Sequence, residues 1–231
     1  MPHALVLRHM YSGSLFTIEE SFREKDIDFT YAEGFSTDLS AIDALEPDIL
    51  VVLGGAMGVY ERHLYPWLDH EIEIIKKRVA ADRPTFGVCL GAQLMAASQG
   101  CDVYKGKQGR EFGFLPIEAT DAGLDSPIKH FDGSKTRVLH MHGDTFDLPD
   151  NATLLASSEL YKNQAYRIGK NCFAVQFHPE FNRIGLENTI VEDHGYIDIE
   201  KMRADADQYL PVMVQQTNKF LGDLYSIWKT A

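Results

Sequence analysis

The sequence predicts a three-layer α/β protein: a mostly parallel central sheet, helices on both faces, and an antiparallel extension in the second half. In the first hundred of 231 residues, short apolar runs alternate with segments of helical periodicity. From Asp102 to Phe177, short strand-like segments follow one another with turn residues between them. No repeat or linker-like tract divides the chain, so we expect one domain, residues 1–231, with a helical tail at about 195–231.

The chain opens with a β-α-β pattern. HALVLRH is an apolar run suited to a buried strand, and DFTYAE is a second strand-like segment. Between them, Ile18, Phe22 and Ile27 recur at near-helical spacing. The opening therefore predicts a strand, a helix and a strand in that order.

Two more helices are predicted before residue 85. The segment STDLSAIDALEP offers an N-cap at Ser36 or Thr37 and ends at Pro47. The segment YPWLDHEIEIIKKRVAADRP has an apolar stripe at Leu68, Ile72, Ile75 and Val79. The intervening run DILVVLGG is apolar and β-branched, as expected for a strand buried on both faces of a parallel sheet.

Strand-like segments dominate the second half, and helical periodicity returns only in the tail. The strand-like segments are DVYKG, GFLPIEAT, TRVLHMH, TLLASS, AYRIG and CFAVQF. After Pro211, one helical face carries Met213, Phe220, Leu224 and Trp228.

The composition indicates which partners the protein is expected to bind and which compartment it is expected to occupy. There are 22 Lys and Arg against 34 Asp and Glu, a formal net charge of −12, which argues against binding to nucleic acid. No leader pattern or membrane-length apolar run is present, so we expect a cytoplasmic protein that does not contact a membrane. Three cysteines without a CxxC pair predict neither a disulfide framework nor a thiolate zinc site.

Three segments that carry chemically useful groups each follow an apolar run. They are GGAMG at Gly54–Gly58, GVCLG at Gly87–Gly91 and QFHPE at Gln176–Glu180. In open α/β sheets, functional groups gather beyond the carboxyl ends of the strands. We therefore expect these segments to form one site.

Cys89 occupies a predicted turn between a strand and a helix. Such a turn points backbone N–H groups and the positive end of the helix at the sulfur, which favours a reactive thiolate. Gly87 and Gly91 permit the tight backbone that this turn needs. The alternative is an inert buried thiol, because free cysteine is among the most buried residue types.

His178 is the candidate base for a nucleophilic Cys89. It ends the apolar run CFAVQF, where its imidazole can project from the sheet, and Pro179 then stops the strand. Glu180 can orient the ring and stabilise its cationic form. The alternative is a histidine that merely ends a strand beside a solvated glutamate.

The motifs GVCLGAQ, QFHPE and LGGAMGVYE together resemble those of class I glutamine amidotransferase domains of the triad type. The similarity extends from Ala4 to about Phe181 and is greatest to the glutaminase domain of GMP synthase and its stand-alone relatives. It implies a flavodoxin-like three-layer α/β/α fold, no cofactor, and release of ammonia from glutamine through a cysteine γ-glutamyl thioester. No SGGxDS-type phosphate loop of a synthetase domain occurs in the chain.

The resemblance also implies roles for individual residues. Cys89 would be the nucleophile, His178 the base and Glu180 the residue that orients it. The backbone N–H groups of Gly55 and Leu90 would form the oxyanion hole. The implied substrate-binding residues are Gln93, His142, Gly143 and Asp144.

A metal site is the competing interpretation of one motif. HMHGD fits the H-x-H-x-D pattern of metallo-β-lactamase-type hydrolases through His140, His142 and Asp144. Thr145 stands where that pattern needs another histidine, and a metal would leave the Cys89 turn unexplained. We therefore predict no metal.

The substrate stays open at the level of the sequence. A glutaminase that passes ammonia to a separate synthetase chain, a stand-alone hydrolase or peptidase of γ-glutamyl compounds, and a non-catalytic regulatory subunit all fit. Ala56 and Met57 depart from the synthase-type pattern beside the oxyanion position. The basic segment YKGKQGREFGF is either a solvated hairpin or a rim that meets a substrate carboxylate or a partner, and Arg110 and Glu111 receive no specific role.

Overall fold

An eight-stranded sheet forms the centre of the protein in the computed structural model, which describes residues 1–192 and 198–230. The strands are β1 (His3–Arg8), β2 (Asp28–Glu33), β3 (Ile49–Val52), β4 (Thr85–Val88), β5 (Val103–Lys105), β6 (Glu111–Leu115), β7 (Glu118–Ala119), β8 (Val138–His142), β9 (Asp144–Phe146), β10 (Ala152–Ser157), β11 (Ala165–Ile168) and β12 (Cys172–Val175). The helices are α1 (Thr17–Glu24), α2 (Trp67–Ala80), α3 (Leu90–Ser98), α4 (Asp121–Leu124), α5 (Arg183–Glu192) and α6 (Ile199–Trp228).

The strand order confirms the predicted fold class. The central sheet runs β2-β1-β3-β4-β12-β11-β10-β7. Pairing is parallel from β2 to β12 and antiparallel from β12 to β7. Two small antiparallel ribbons, β5-β9 and β6-β8, lie outside this sheet.

Helices cover both faces of the sheet because successive strand side chains alternate between the faces. Val6 belongs to an apolar cluster with Phe22 of α1 and Phe220 of α6. Leu7, the next residue, belongs to a second cluster with Ile75 of α2 and Leu94 of α3. The result is the three-layer arrangement that the alternating pattern predicts.

The predicted helix over STDLSAIDALEP does not form. The structure has only a 3₁₀ turn at Leu39–Ala41 there. The Asp38 carboxylate accepts from the backbone N–H of Ser40 at 3.1 Å, and the Asp43 carboxylate accepts from that of Leu45 at 2.9 Å. These local bonds give the backbone an alternative to a helical ladder.

Helix α6 begins twelve residues before Pro211, although the sequence pattern placed the apolar face only after that proline. The buried stripe already starts at Met202. Pro211 is exposed, so the backbone bond that it removes lies on the solvent side, where water can replace it. Thr217 of the same helix donates its hydroxyl to the Pro179 carbonyl at 2.9 Å, which ties α6 to the QFHPE segment. Residues 195–197 and 231 of the predicted tail lie outside the described residues.

Within the described ranges, no helix combines the length and apolarity needed to cross a membrane.

Candidate active site

The three segments singled out in the sequence lie side by side. Strands β3, β4 and β12 are neighbours in the sheet and run parallel. Their carboxyl ends therefore meet at one edge, where Gly54, Cys89 and His178 line the same cavity. These three residues are 35 to 124 positions apart in the sequence. They come close together because β12 lies beside β4 at the centre of the sheet.

Cys89 has a strained backbone at the N-terminus of α3. Its φ is 51° and its ψ is −106°, a region that non-glycine residues rarely adopt. A Cβ on Gly87 would lie 2.7 Å from the Gly91 carbonyl oxygen, and one on Gly91 would overlap the carbonyl oxygen of Val52. Both glycines are thus required by close backbone packing around the turn. The first N–H groups of α3 have no intrahelical acceptor and surround the sulfur with positive potential.

His178 and Glu180 form a buried pair. The distance from His178 Nδ1 to Glu180 Oε1 is 2.7 Å, which leaves Nε2 available to the nearby Cys89 sulfur. Burial alone would lower the pKa of His178, but the Glu180 carboxylate and the Cys89 sulfur raise it well above its ordinary value. This favours an imidazolium beside the Cys89 sulfur.

The backbone around this pair is fixed at two points. His178 donates its N–H to the Leu139 carbonyl at 2.8 Å, and the Glu180 carbonyl accepts from the N–H of Thr17 at 3.0 Å. Both side chains are almost fully buried. The imidazole therefore has little freedom to turn away from Cys89.

Gly54 and Gly55 form a loop directly against the sulfur and the imidazole. A Cβ on Gly54 would lie 2.8 Å from His178 Cε1 and 3.4 Å from Cys89 Cβ. A Cβ on Gly55 would lie 2.8 Å from the Leu90 side chain. The structure thus brings together Gly55 and Leu90, the two residues predicted to form an oxyanion hole.

Gln93 lies one turn into α3 and lines the cavity. It is buried, and its Nε2 donates to the Gln176 side-chain oxygen at 3.2 Å. This contact links α3 to the segment that follows β12. Gln176 itself was not among the predicted site residues.

His142, Gly143 and Asp144 also line the cavity, between β8 and β9. Their backbone is held by two bonds: His142 Nδ1 to the Asp144 carbonyl at 3.1 Å, and the N–H of Gly106 to the Gly143 carbonyl at 2.8 Å. Burial and the nearby Asp144 carboxylate raise the pKa of Tyr60 to about 12.

A buried cluster of Glu111, His140 and His142 lies behind this segment. Their ligand-type atoms fall within 4.8 Å of one another, so these three residues could hold a metal ion. Asp144, which the metal interpretation of the motif needs, is not part of the cluster. The Glu111 Oε2 atom already accepts from Gln164 Nε2 at 2.5 Å and lies 3.0 Å from His142 Nε2, so side-chain donors satisfy the carboxylate. Burial opposes its charge, but His140 and His142 hold the pKa of Glu111 well below its usual range.

The cavity in front of Cys89 has a volume of about 670 Å³. Lys105, at the end of β5, and Arg110, just before β6, both line it. A pocket of this size admits a molecule considerably larger than free glutamine.

Comparison with known proteins identifies the family. The family model for class-I glutamine amidotransferases matches residues 7–196. The chain belongs to the class-I glutamine amidotransferase family. This confirms the resemblance seen in the motifs, and the match includes all three segments that meet at the sheet edge.

The chain is similar to several known proteins and to solved structures. A putative glutamine amidotransferase-like protein, YfeJ, from Salmonella typhimurium is 35% identical over 189 residues, 76% of this chain and 78% of the relative. Gamma-glutamyl peptidase 4 from Arabidopsis thaliana is 32% identical over 121 residues, 51% of this chain and 48% of the relative. The crystal structure of a glutamine amidotransferase from Thermotoga maritima superposes with a TM-score of 0.87 at 31% identity, covering 96% of this chain and 97% of that one.

Some residues that support the candidate site were not predicted from the sequence. His9 and Glu71 lie behind the Gly54–Gly55 loop, and Glu111 lies behind the His142 segment. A signal existed for two of them: His9 ends the first predicted strand, as His178 ends another, and Glu71 falls beside the apolar stripe of α2. Glu111 left no signal, because its burial depends on contacts such as its pairing with His142 across the ribbon.

Proposed function

We propose that the protein is a cysteine-dependent hydrolase of γ-glutamyl amides, with glutamine as the leading substrate. The observation that carries the proposal is the contact of Cys89 with His178, whose other ring nitrogen is bound by Glu180. A strained turn holds the sulfur at the N-terminus of α3. Membership in the class-I glutamine amidotransferase family supports the same chemistry.

The first half-reaction forms a thioester. The Cys89 thiolate attacks the side-chain carbonyl carbon of glutamine, and the carbonyl oxygen becomes an oxyanion. The backbone N–H groups of Gly55 and Leu90 stabilise it, each contributing on the order of 3 kcal/mol in the transition state. His178 donates its Nε2 proton to the departing nitrogen, so that the C–N bond breaks and ammonia leaves.

The second half-reaction releases glutamate. His178, now neutral, takes a proton from water, and the resulting hydroxide attacks the thioester carbonyl. The C–S bond breaks and the thiolate is restored beside the imidazolium. Glu180 holds the ring in one orientation through both steps.

The cavity wall provides groups for the amino-acid end of the substrate. Gln93, the His142–Gly143 backbone and Asp144 all face the space in front of Cys89. Asp144 could pair with an α-ammonium group, and backbone N–H groups could meet an α-carboxylate. A separate synthetase chain that consumes the ammonia is part of this proposal.

The test is hydrolysis of glutamine by the purified protein. We expect glutamate and ammonia in equal amounts, and no turnover by Cys89→Ser. Cys101→Ser is the matched control, because Cys101 lies outside the cavity and this variant should keep the wild-type rate. An active Cys89→Ser variant would contradict the mechanism, and an inactive wild type would favour a regulatory subunit without catalysis of its own.

A second candidate, hydrolysis of γ-glutamyl peptides, has a specific observation in its favour. The cavity of about 670 Å³ leaves room beyond a glutamine side chain, and Lys105 and Arg110 line it as cations. The carboxylate of a peptide leaving group would form ion pairs with these side chains, whereas ammonia carries no carboxylate for them to bind. The ratio of kcat/KM for γ-glutamyl dipeptides to that for glutamine decides between the two: a ratio above one favours the peptidase.

A further inference from the structure

His9 lies at the end of β1, behind the Gly54–Gly55 loop and on the side away from the cavity lining. Its side chain and that of Glu71 are completely buried. The distance from His9 Nδ1 to the Gly54 carbonyl oxygen is 3.1 Å, and that from Nε2 to Glu71 Oε2 is 2.8 Å. A carbonyl and a carboxylate can only accept, so both ring nitrogens donate and the ring is an imidazolium.

The electrostatics of the pair agree with this assignment. Burial alone would lower the pKa of His9, but the Glu71 carboxylate and the backbone carbonyls of Gly54 and Leu53 raise it. A buried charge of this kind persists only when it is paired and hydrogen-bonded. His9 and Glu71 meet both conditions with each other and with the loop.

The ring is also held by packing. Trp67 of α2 stacks on it with centroids 5.6 Å apart and planes at 22°. A Cβ on Gly55 would lie 2.9 Å from His9 Cβ, so the loop and the histidine are in close contact. The imidazole therefore cannot turn without moving Trp67 or the loop.

Peptide geometry connects His9 to the candidate oxyanion hole. The carbonyl of Gly54 and the N–H of Gly55 belong to one planar trans peptide, in which the two groups point in opposite directions. A hydrogen bond that holds the carbonyl on His9 therefore turns the Gly55 N–H away from His9. Gly55 and Cys89 both line the cavity on that opposite side.

We propose that His9 and Glu71 are positioning residues, which aim the Gly55 N–H at the oxyanion by holding the Gly54 carbonyl from behind. The inference rests on the proposed function in one respect: it assumes that Cys89 attacks a carbonyl group. It does not depend on which carbonyl compound is the natural substrate.

Two reactions of Cys89 separate positioning of the oxyanion hole from activation of the thiol. In acylation by p-nitrophenyl acetate, the thiolate attacks the ester carbonyl, the C–S bond forms through a tetrahedral oxyanion, and p-nitrophenolate leaves. In alkylation by iodoacetamide, the C–S bond forms as iodide leaves, and no oxyanion develops. Peptide mass spectrometry follows Cys89 apart from Cys101 and Cys172.

The central variant is His9→Leu, with His9→Asn as the conservative partner. Asparagine can place its amide N–H near the position of Nδ1 and keep the bond to the Gly54 carbonyl. We expect His9→Leu to lower the acylation rate about ten- to a hundredfold, somewhat less than the loss of an oxyanion donor itself. Alkylation should stay within about twofold of wild type, and His9→Asn should recover most of the acylation rate.

His130→Leu is the matched control, because His130 pairs with Asp223 at 2.9 Å away from the cavity and should affect neither rate. Should His9→Leu fail to fold, Glu71→Gln keeps the shape and an acceptor for Nε2 while removing the charge, and a smaller loss confined to acylation is expected.

Equal losses in both reactions, an unchanged acylation rate, or no rescue by asparagine would overturn the inference. A wild type that is acylated normally but does not hydrolyse glutamine would refute the proposed substrate and leave the positioning role standing.

Discussion

Glu111 and His142 face each other across the β6-β8 ribbon, with 3.0 Å between Glu111 Oε2 and His142 Nε2. Both side chains are almost fully buried. Through His142, this contact supports the Gly143 and Asp144 backbone at the cavity. The pair therefore couples the stability of the ribbon to the shape of the candidate substrate site.

Glu111→Gln is expected to destabilise the protein in a pH-dependent way. Because the pKa of Glu111 is lowered in the folded state, its contribution is complete above the unfolded-state pKa of about 4.3 and is lost as the pH falls further. At pH 7 the free energy of unfolding should fall by about 2 kcal/mol or more. Urea unfolding at pH 7 and at pH 3.5 measures whether the difference from wild type narrows at acid pH.

Glu187→Gln is the control for this prediction, because Glu187 forms an exposed pair with Arg203. Its free energy of unfolding should hardly change at either pH. A loss for Glu111→Gln that is the same at both pH values would argue against a role of the ionised carboxylate.

Glu180→Gln should move the alkaline limit of activity to lower pH. Burial opposes the charge of His178, and Glu180 and Cys89 raise its pKa. Removing the carboxylate should therefore bring the loss of the imidazolium closer to neutral pH, with a fall in kcat of about a hundredfold or more from poorer orientation of the ring. The pH profile of kcat/KM between pH 5 and 10 is the measurement, and an unshifted alkaline limb would count against the assignment of Glu180.

Gly54→Ala is expected to reduce activity much more than stability. The added Cβ would lie 2.8 Å from His178 Cε1, and the imidazole has to move for it. A displacement approaching 1 Å costs about a hundredfold in rate.

Gly222→Ala is the matched control, because nothing lies within 4 Å of its Cβ position in α6. Helix propensity predicts that its free energy of unfolding rises by about 0.5–1 kcal/mol, with unchanged activity. Thermal unfolding and turnover of the two variants, measured together, test this contrast.

Arg110→Gln should distinguish among substrates. For a γ-glutamyl peptide with a free carboxylate, loss of a charge-assisted bond predicts a KM about tenfold higher. For glutamine, which lacks a group that reaches the rim, KM should stay the same. An equal change in KM for both substrates would show that Arg110 shapes the cavity but does not bind the carboxylate of the leaving group.

The fold was predictable because its signals are local and agree with one another. Apolar runs such as DILVVLGG and the stripe of α2 each specify one element, and their alternation specifies the layers. The helix over STDLSAIDALEP was wrong because the carboxylates of Asp38 and Asp43 bond to nearby backbone N–H groups instead. Periodicity indicates which face of a segment is apolar. It does not indicate whether side chains compete with the helix for the backbone N–H groups.

The candidate site was predictable only where a residue stands at the end of a strand. Cys89 and His178 could be named from their positions after apolar runs, and their roles stay predictions until the variants are measured. His9, Glu71 and Glu111 support the site from behind through contacts that span up to 62 residues or cross between strands. Such partners follow from the packing of elements, which a single sequence does not specify.

Helix α6 also bears on how the protein should be produced. The family match ends at residue 196, before α6 begins, so a fragment designed on that boundary would omit the whole helix. The Thr217 hydroxyl, which bonds to the carbonyl of Pro179 between His178 and Glu180, would be lost with it. The large apolar surface that Phe220 and Leu224 cover would face solvent. Truncation at the homology boundary is therefore expected to give an aggregation-prone and inactive protein, even though every residue proposed for catalysis is retained.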